Sequence, residues 1–191
     1  MKTRDIPFFR YRDLEAIGLT AGQLHALVRH GNIERVSRGL YRWSKTPVTE
    51  NFTLLAVART VPKGVLCLLT ALRLHGIGTQ EPHEVWVAIH PKARTPRRRD
   101  LPLKIVRFSG TALTFGVEKQ QLDGGEVRVT NPARTVVDCF RYRNKIGLDI
   151  ALEALQETLR GKKATREQIF LAAKACRARN VIRPYLEALS R

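Results

Sequence analysis

Carboxylates are scarce in this sequence. Its 191 residues hold 17 Asp and Glu against 34 Lys and Arg, a formal net charge of +17 with an isoelectric point near 10.7. That deficit argues for an anionic partner and says nothing about fold. Polyphosphate backbones are the commonest such partner, because each neutralised phosphate releases condensed counterions. An anionic membrane is the competitor, but long uninterrupted apolar runs are missing. Met1 is followed by Lys, Arg, Asp and aromatics instead of the apolar core of a signal peptide. A soluble, cytoplasmic protein with no membrane partner is expected.

Cysteine is scarce too. Cys67, Cys139 and Cys176 lie far apart, each in an apolar stretch without a neighbouring His or second Cys. An odd number with no CxxC pattern reads as buried reduced thiols, with zinc and a disulfide as lesser alternatives. Catalytic signatures are absent as well: there is no phosphate-cradling Gly-rich loop, no GxSxG elbow and no HExxH. Glu118-Lys119 is not the spaced acid-x-lysine of many nucleases, and Ser109-Gly110 lacks the paired aspartates with which a nucleotidyltransferase holds metal. Glu84, Asp123 and Asp138 read as a strand start, a turn and an exposed helix position. No catalytic residue, metal or cofactor is expected.

What is present begins with 43% hydrophobic residues in a chain long enough for one or two compact cores. To about residue 46 the pattern is two short helices and a hairpin. Leu14 and Ile17 give Tyr11 to Ile17 a helical spacing, which Gly18 ends. Thr20 with Gln23 three residues on fits a capping box that opens a second helix. Leu24, Leu27 and Val28 form its inward stripe. Ala21, Gly22, Gln23, His25 and Arg29 are left outside, and Gly31 supplies a left-handed terminator. The runs Ile33 to Val36 and Leu40 to Trp43, joined by Ser37-Arg38-Gly39, read as a β-hairpin.

After Pro47 the character changes. Helices are expected at about Glu50 to Thr60 and Thr70 to His75, then strands over Glu84 to His90, Lys104 to Phe108 and Gly116 to Thr130, the last folding back at Asp123-Gly124-Gly125. Asn131-Pro132 opens a helix with an Asn cap and Pro at the first helical position. Leu148, Leu152, Leu155 and Leu159 repeat at helical spacing. Thr165 to Gln168 is a second capping box leading through Ile169, Ala173 and Cys176, and Tyr185, Leu186 and Leu189 mark a last helix. The fold class expected is α+β: an N-terminal winged helix-turn-helix over residues 1–46, followed by a mixed α/β domain with a helical C-terminus over 47–191.

A helix-turn-helix places the N-terminal side chains of its second helix in the major groove, where each base pair shows a distinct donor and acceptor pattern. Here Gln23 can pair with adenine, Arg29 can reach guanine or a phosphate, and Thr20 can contact a phosphate beside the helix amides. The hairpin supplies Arg35, Ser37, Arg38 and Arg42 for the DNA backbone or minor groove, with Val36, Leu40, Tyr41 and Trp43 as anchors. Taken singly, each could be a solvated residue. Helix, basic wing and net charge together favour DNA. A second basic cluster, Lys92, Arg94, Arg97, Arg98 and Arg99, lies in a Pro-bounded loop. It could clamp flanking phosphates or RNA, against the plain reading as a solvated charged loop.

The stretch LTAGQLHALVRHGNIERVSRGLYRW, Leu19 to Trp43, resembles the winged-helix domain of AbiEi-type antitoxins. Later stretches resemble the longer members of that family, notably LCLLTALRLHGI, PHEVWVAIHP, LKIVRFSG, VRVTNPARTVVDCFRYRNKIGLDIALEAL and VIRPYLEAL. The resemblance implies a non-enzymatic type IV toxin-antitoxin regulator. Such a protein represses its own promoter at inverted repeats in double-stranded DNA and opposes a nucleotidyltransferase-type toxin encoded beside it. Carried over, the DNA-reading role falls on Thr20, Gln23, His25 and Arg29 in the recognition helix and on Arg35, Arg38 and Arg42 in the wing. The antitoxin role falls on the domain after Pro47. One departure is that only Met1 to Arg10 precede Tyr11, where the family usually has a full helix. Two other readings compete: a metal-dependent nuclease fused to a winged helix, and an interaction module whose basic surface neutralises an acidic toxin.

Overall fold

The computed structural model describes residues 8–96, 100–122 and 125–189. By its internal contacts the chain forms two units, each taken over its described residues. One comprises Met1–Lys63, Thr95–Leu103 and Lys119–Val127; the other comprises Gly64–Arg94, Lys104–Glu118 and Arg128–Arg191.

The first unit is built around a three-stranded antiparallel sheet. Strand β1 (Phe9–Arg10) pairs with β3 (Leu40–Trp43), which pairs with β2 (Ile33–Ser37), and helix α1 (Ala21–Arg29) precedes the hairpin. The stretch ahead of α1 is shorter than its spacing predicts. Tyr11–Asp13 is one 3₁₀ turn followed by further turns to Gly18, held by the Arg10 N–H donating to Asp13 Oδ2 at 2.8 Å. The core is small: Phe9, Leu14, Leu24 and Ile33 are buried, with Leu27, Tyr41 and Trp43 against them. So small a core covers only a narrow stripe of α1, and Val28, expected inside, is 36% exposed. Gly31 has φ +71°, the left-handed turn that frees the chain to start β2. Helix α2 (Phe52–Thr60) joins this unit through Phe52, whose ring meets Phe8 edge-on at 4.9 Å. The expected division at residue 47 thus falls within the first unit.

A five-stranded sheet runs in the order β6-β5-β4-β8-β7. These strands are β4 (Val65–Leu66), β5 (Val85–Ile89), β6 (Leu103–Arg107), β7 (Val117–Leu122) and β8 (Gly125–Thr130). β5 is buried at every position, as its unbroken apolar run predicts for a strand covered on both faces. The central strand β4 is two residues long; it lies antiparallel to β5 and parallel to β8. Helix α3 (Leu68–Leu74) follows it, and five more helices complete the chain: α4 (Pro132–Arg141), α5 (Arg143–Ile146), α6 (Leu148–Arg160), α7 (Arg166–Ala175) and α8 (Arg179–Ala188). Asn131 caps α4 by accepting the Arg134 N–H at 2.9 Å.

α4 touches α3, α6, α7 and α8, and every residue from Ala133 to Phe140 is buried. Asp138 is therefore not an exposed helix position: α4 has no solvent face there. Its carboxylate accepts from Arg134 Nε at 2.9 Å and Arg141 Nη1 at 3.4 Å. Arg134 also donates to the carbonyls of Phe115 (3.0 Å) and Ala112 (2.8 Å) and lies over the Phe108 ring. A buried ion pair is tolerable only when its remaining hydrogen-bonding capacity is satisfied in this way. Gly116 makes room for it, since at φ +63° a Cβ would stand 2.8 Å from the Arg134 Cβ.

All three cysteines are free and buried. Burial pushes the Cys67, Cys139 and Cys176 thiols up, away from the reactive thiolate. Among the described residues, no helix is long and apolar enough to cross a membrane.

Candidate nucleic-acid interface

The capping box expected at Thr20 forms in both directions. The Thr20 N–H donates to Gln23 Oε1 at 2.8 Å, and the Gln23 N–H donates to Thr20 Oγ1 at 3.2 Å. The first turn of α1 still presents amides that no helix carbonyl can reach, at the positive end of the helix dipole. Ala21 and Gly22 are exposed there and too small to keep a phosphate away from them. His25 and Arg29 follow on exposed positions one turn apart. Because Gln23 Oε1 is engaged in the cap, the group it offers outward is Nε2, a donor. Bidentate pairing with adenine would require the box to open.

The wing divides its cations. A bulge between Arg35 and Ser37 breaks the β2–β3 register, and Arg35 and Arg38 lie exposed around it. The Arg38 N–H donates to the Asp100 carboxylate at 3.2 Å, which ties the turn down. Ser37 is only 4% exposed, and its Oγ has no partner among the described residues. It faces the fold and leaves the candidate set. Arg42 leaves it too. Its register partner is Glu34, and the guanidinium bonds that carboxylate at 2.7 Å, donates to Thr46 O at 3.0 Å and stacks over Phe52. With its side chain 12% exposed, Arg42 acts as a bracket at the base of the wing.

In the second unit, Lys92 and Arg94 are exposed; Arg97, Arg98 and Arg99 lie outside the described residues. The loop bearing Lys92 is folded over by Arg107, which donates to His90 O (3.1 Å) and Ala93 O (3.0 Å). Exposed aromatic and aliphatic residues on α7, Phe170 and Leu171, carry no role in the sequence reading, which followed only the inward stripe of that helix. Their signal was available: the stripe Ile169, Ala172, Ala173 is already complete without them. No three His, Cys, Asp or Glu side chains among the described residues are arranged to hold a metal ion.

Residues 4–42 match the family described as transcriptional regulator, AbiEi antitoxin, and residues 64–186 match the AbiEi antitoxin C-terminal domain. No curated protein matches the chain. The second match alone spans more than half of the sequence, and the two follow one another in the order the fold displays. The chain belongs to the AbiEi antitoxin family of transcriptional regulators.

Proposed function

We propose that this antitoxin represses its own promoter by binding inverted repeats in double-stranded DNA, and that it belongs to a type IV system whose toxin is a nucleotidyltransferase. The observation that carries the DNA reading is the capped, exposed N-terminal turn of α1 beside a wing whose outward cations are Arg35 and Arg38. Gln23, His25 and Arg29 read base edges; Thr20 and the first-turn amides hold a phosphate; Arg35 and Arg38 hold the backbone or the minor groove. Residues 1–46 form the DNA reader, which Phe52 buttresses, and the remainder carries the antitoxin role without catalysis. Lys92 and Arg94 offer a separate pair of exposed cations to phosphates.

A gel-shift with DNA from the gene's own upstream region tests this reading. It predicts a discrete complex on the inverted repeats that excess random DNA does not displace. Equal displacement by random and upstream DNA would contradict it. Rescue of cells expressing the adjacent nucleotidyltransferase tests the antitoxin half separately.

A further inference from the structure

The turn that carries Arg38 is fixed at three successive residues. Ser37 is buried, the Arg38 N–H donates to an Asp100 carboxylate oxygen at 3.2 Å, and the Gly39 carbonyl accepts the Tyr11 N–H at 3.3 Å. The tie to Tyr11 comes from the chain beside β1, which already pairs with the hairpin. The tie to Asp100 comes from 62 residues further along the sequence.

Asp100 reaches the wing on an excursion of the chain. Over its described residues, Thr95–Leu103 belongs with the wing in the first unit, while Arg94 before it and Lys104 after it belong to the second. All of these lie within the stretch that matches the AbiEi antitoxin C-terminal domain. The excursion is anchored next to the carboxylate: Leu101 is buried, and the Leu103 N–H donates to the Leu101 carbonyl at 2.9 Å. Asp100 itself stays exposed.

The sign of its charge points to a role in position. On a wing that meets phosphates, a carboxylate repels the DNA. What Asp100 contributes instead is a charge-assisted hydrogen bond to the turn's N–H. A turn held in its binding position beforehand loses less freedom when DNA arrives.

We propose that Asp100 is a positioning residue for DNA binding: through the Arg38 N–H its carboxylate holds the wing turn where the Arg38 side chain meets a phosphate, a role that rests on the DNA reading above. The role needs the backbone contact of the wing and is independent of operator preference.

The test uses the full chain on labelled upstream and random duplexes, titrated across salt, with melting temperature as the fold check. Asp100→Asn keeps an acceptor oxygen in place and removes the charge, whereas Asp100→Ala removes both. Asp100→Ala should weaken binding to both duplexes by about fivefold and lower the slope of log affinity against log salt by about one. Asp100→Asn should bind at least as tightly as wild type. Arg38→Ala, which lowers the slope in wild type, should lower it no further in the Asp100→Ala background. A purely electrostatic role would make both Asp100 variants bind more tightly. A purely structural role would lower the melting temperature of Asp100→Ala and leave the slope in place. Either result would overturn the proposal, as would an Arg38→Ala effect of equal size in both backgrounds. If wild type binds the two duplexes alike, the operator reading fails while the same comparisons still decide Asp100. If wild type binds neither duplex, both fall together.

Discussion

Thr20 and Gln23 hold each other: the Thr20 N–H donates to Gln23 Oε1 at 2.8 Å and the Gln23 N–H donates to Thr20 Oγ1 at 3.2 Å. The residues proposed to meet DNA are thus the ones that start the helix. Folding and recognition share two side chains, and substitutions can be chosen to separate them.

Thr20→Ala removes the cap and is expected to cost about 1 kcal/mol of stability, read as a lower melting temperature. Gln23→Glu keeps the box, since Glu serves equally at the third helical position. It exchanges the outward amide for a negative charge. Its melting temperature should stay near wild type while operator affinity falls by about 1–3 kcal/mol. A Gln23→Glu protein that binds its operator normally would remove Gln23 from the interface.

The three wing and helix arginines should fail in three different ways. Arg29→Ala lowers preference for the operator over random DNA. Arg38→Ala weakens both alike and lowers the slope of log affinity against log salt by about one. Arg42→Ala lowers the melting temperature instead, because it frees Glu34, the Thr46 carbonyl and the Phe52 face; about 1–2 kcal/mol is expected. Identical binding curves and melting temperatures for the three variants would refute this division.

Much of this was legible because it is local. Both capping boxes, the Asn131 cap and the left-handed Gly31 depend on residues within a few positions of one another, and the structure forms all of them. What could not be read depends on distant partners. Asp138 lies between Val137 and Cys139 in a helix enclosed on every side, which no periodicity reveals. β4 is two residues long, too short for alternation to register, although it is the centre of the sheet. Hairpin composition puts Ser37 and Arg42 among the DNA contacts, whereas the folded hairpin buries Ser37 and engages Arg42 with Glu34 and the Thr46 carbonyl. The bulge after Arg35 and the register pairing of Arg42 with Glu34 are properties of the folded hairpin, whereas hairpin composition alone makes every arginine look outward.

Asp138→Ala leaves Arg134 charged and unpaired with no solvent within reach, and should cost about 3–5 kcal/mol. The double substitution Arg134→Met with Asp138→Leu should recover much of that loss, since it removes both charges. Urea unfolding of the two variants checks the order. A double variant less stable than Asp138→Ala would mean that the pair contributes more than charge balance.

Burial pushes the Asp138 carboxyl from 3.8 up to about 6, against the pull of Arg134 and Arg141. Between those values the folded chain holds a proton that the unfolded chain has released. This group's contribution to stability therefore rises as pH falls through about 6 toward 4, and is lost as pH rises. His75, whose pKa burial lowers, works in the opposite sense, so the comparison is wild type against Asp138→Asn, which share it. Wild type should gain on the Asn variant as pH falls across that window. Parallel curves would mean that Arg134 keeps the carboxylate ionised throughout.

The most direct test of the central claim is fluorescence anisotropy of the full chain on labelled upstream DNA and on a scrambled duplex, titrated across salt. The account predicts a clear preference for the upstream DNA at every salt concentration, a steep salt dependence on both, and a preference that shrinks in Arg29→Ala. Equal affinity for the two duplexes, unchanged by Arg29→Ala, would contradict it and leave the basic charge as a non-specific property of the surface.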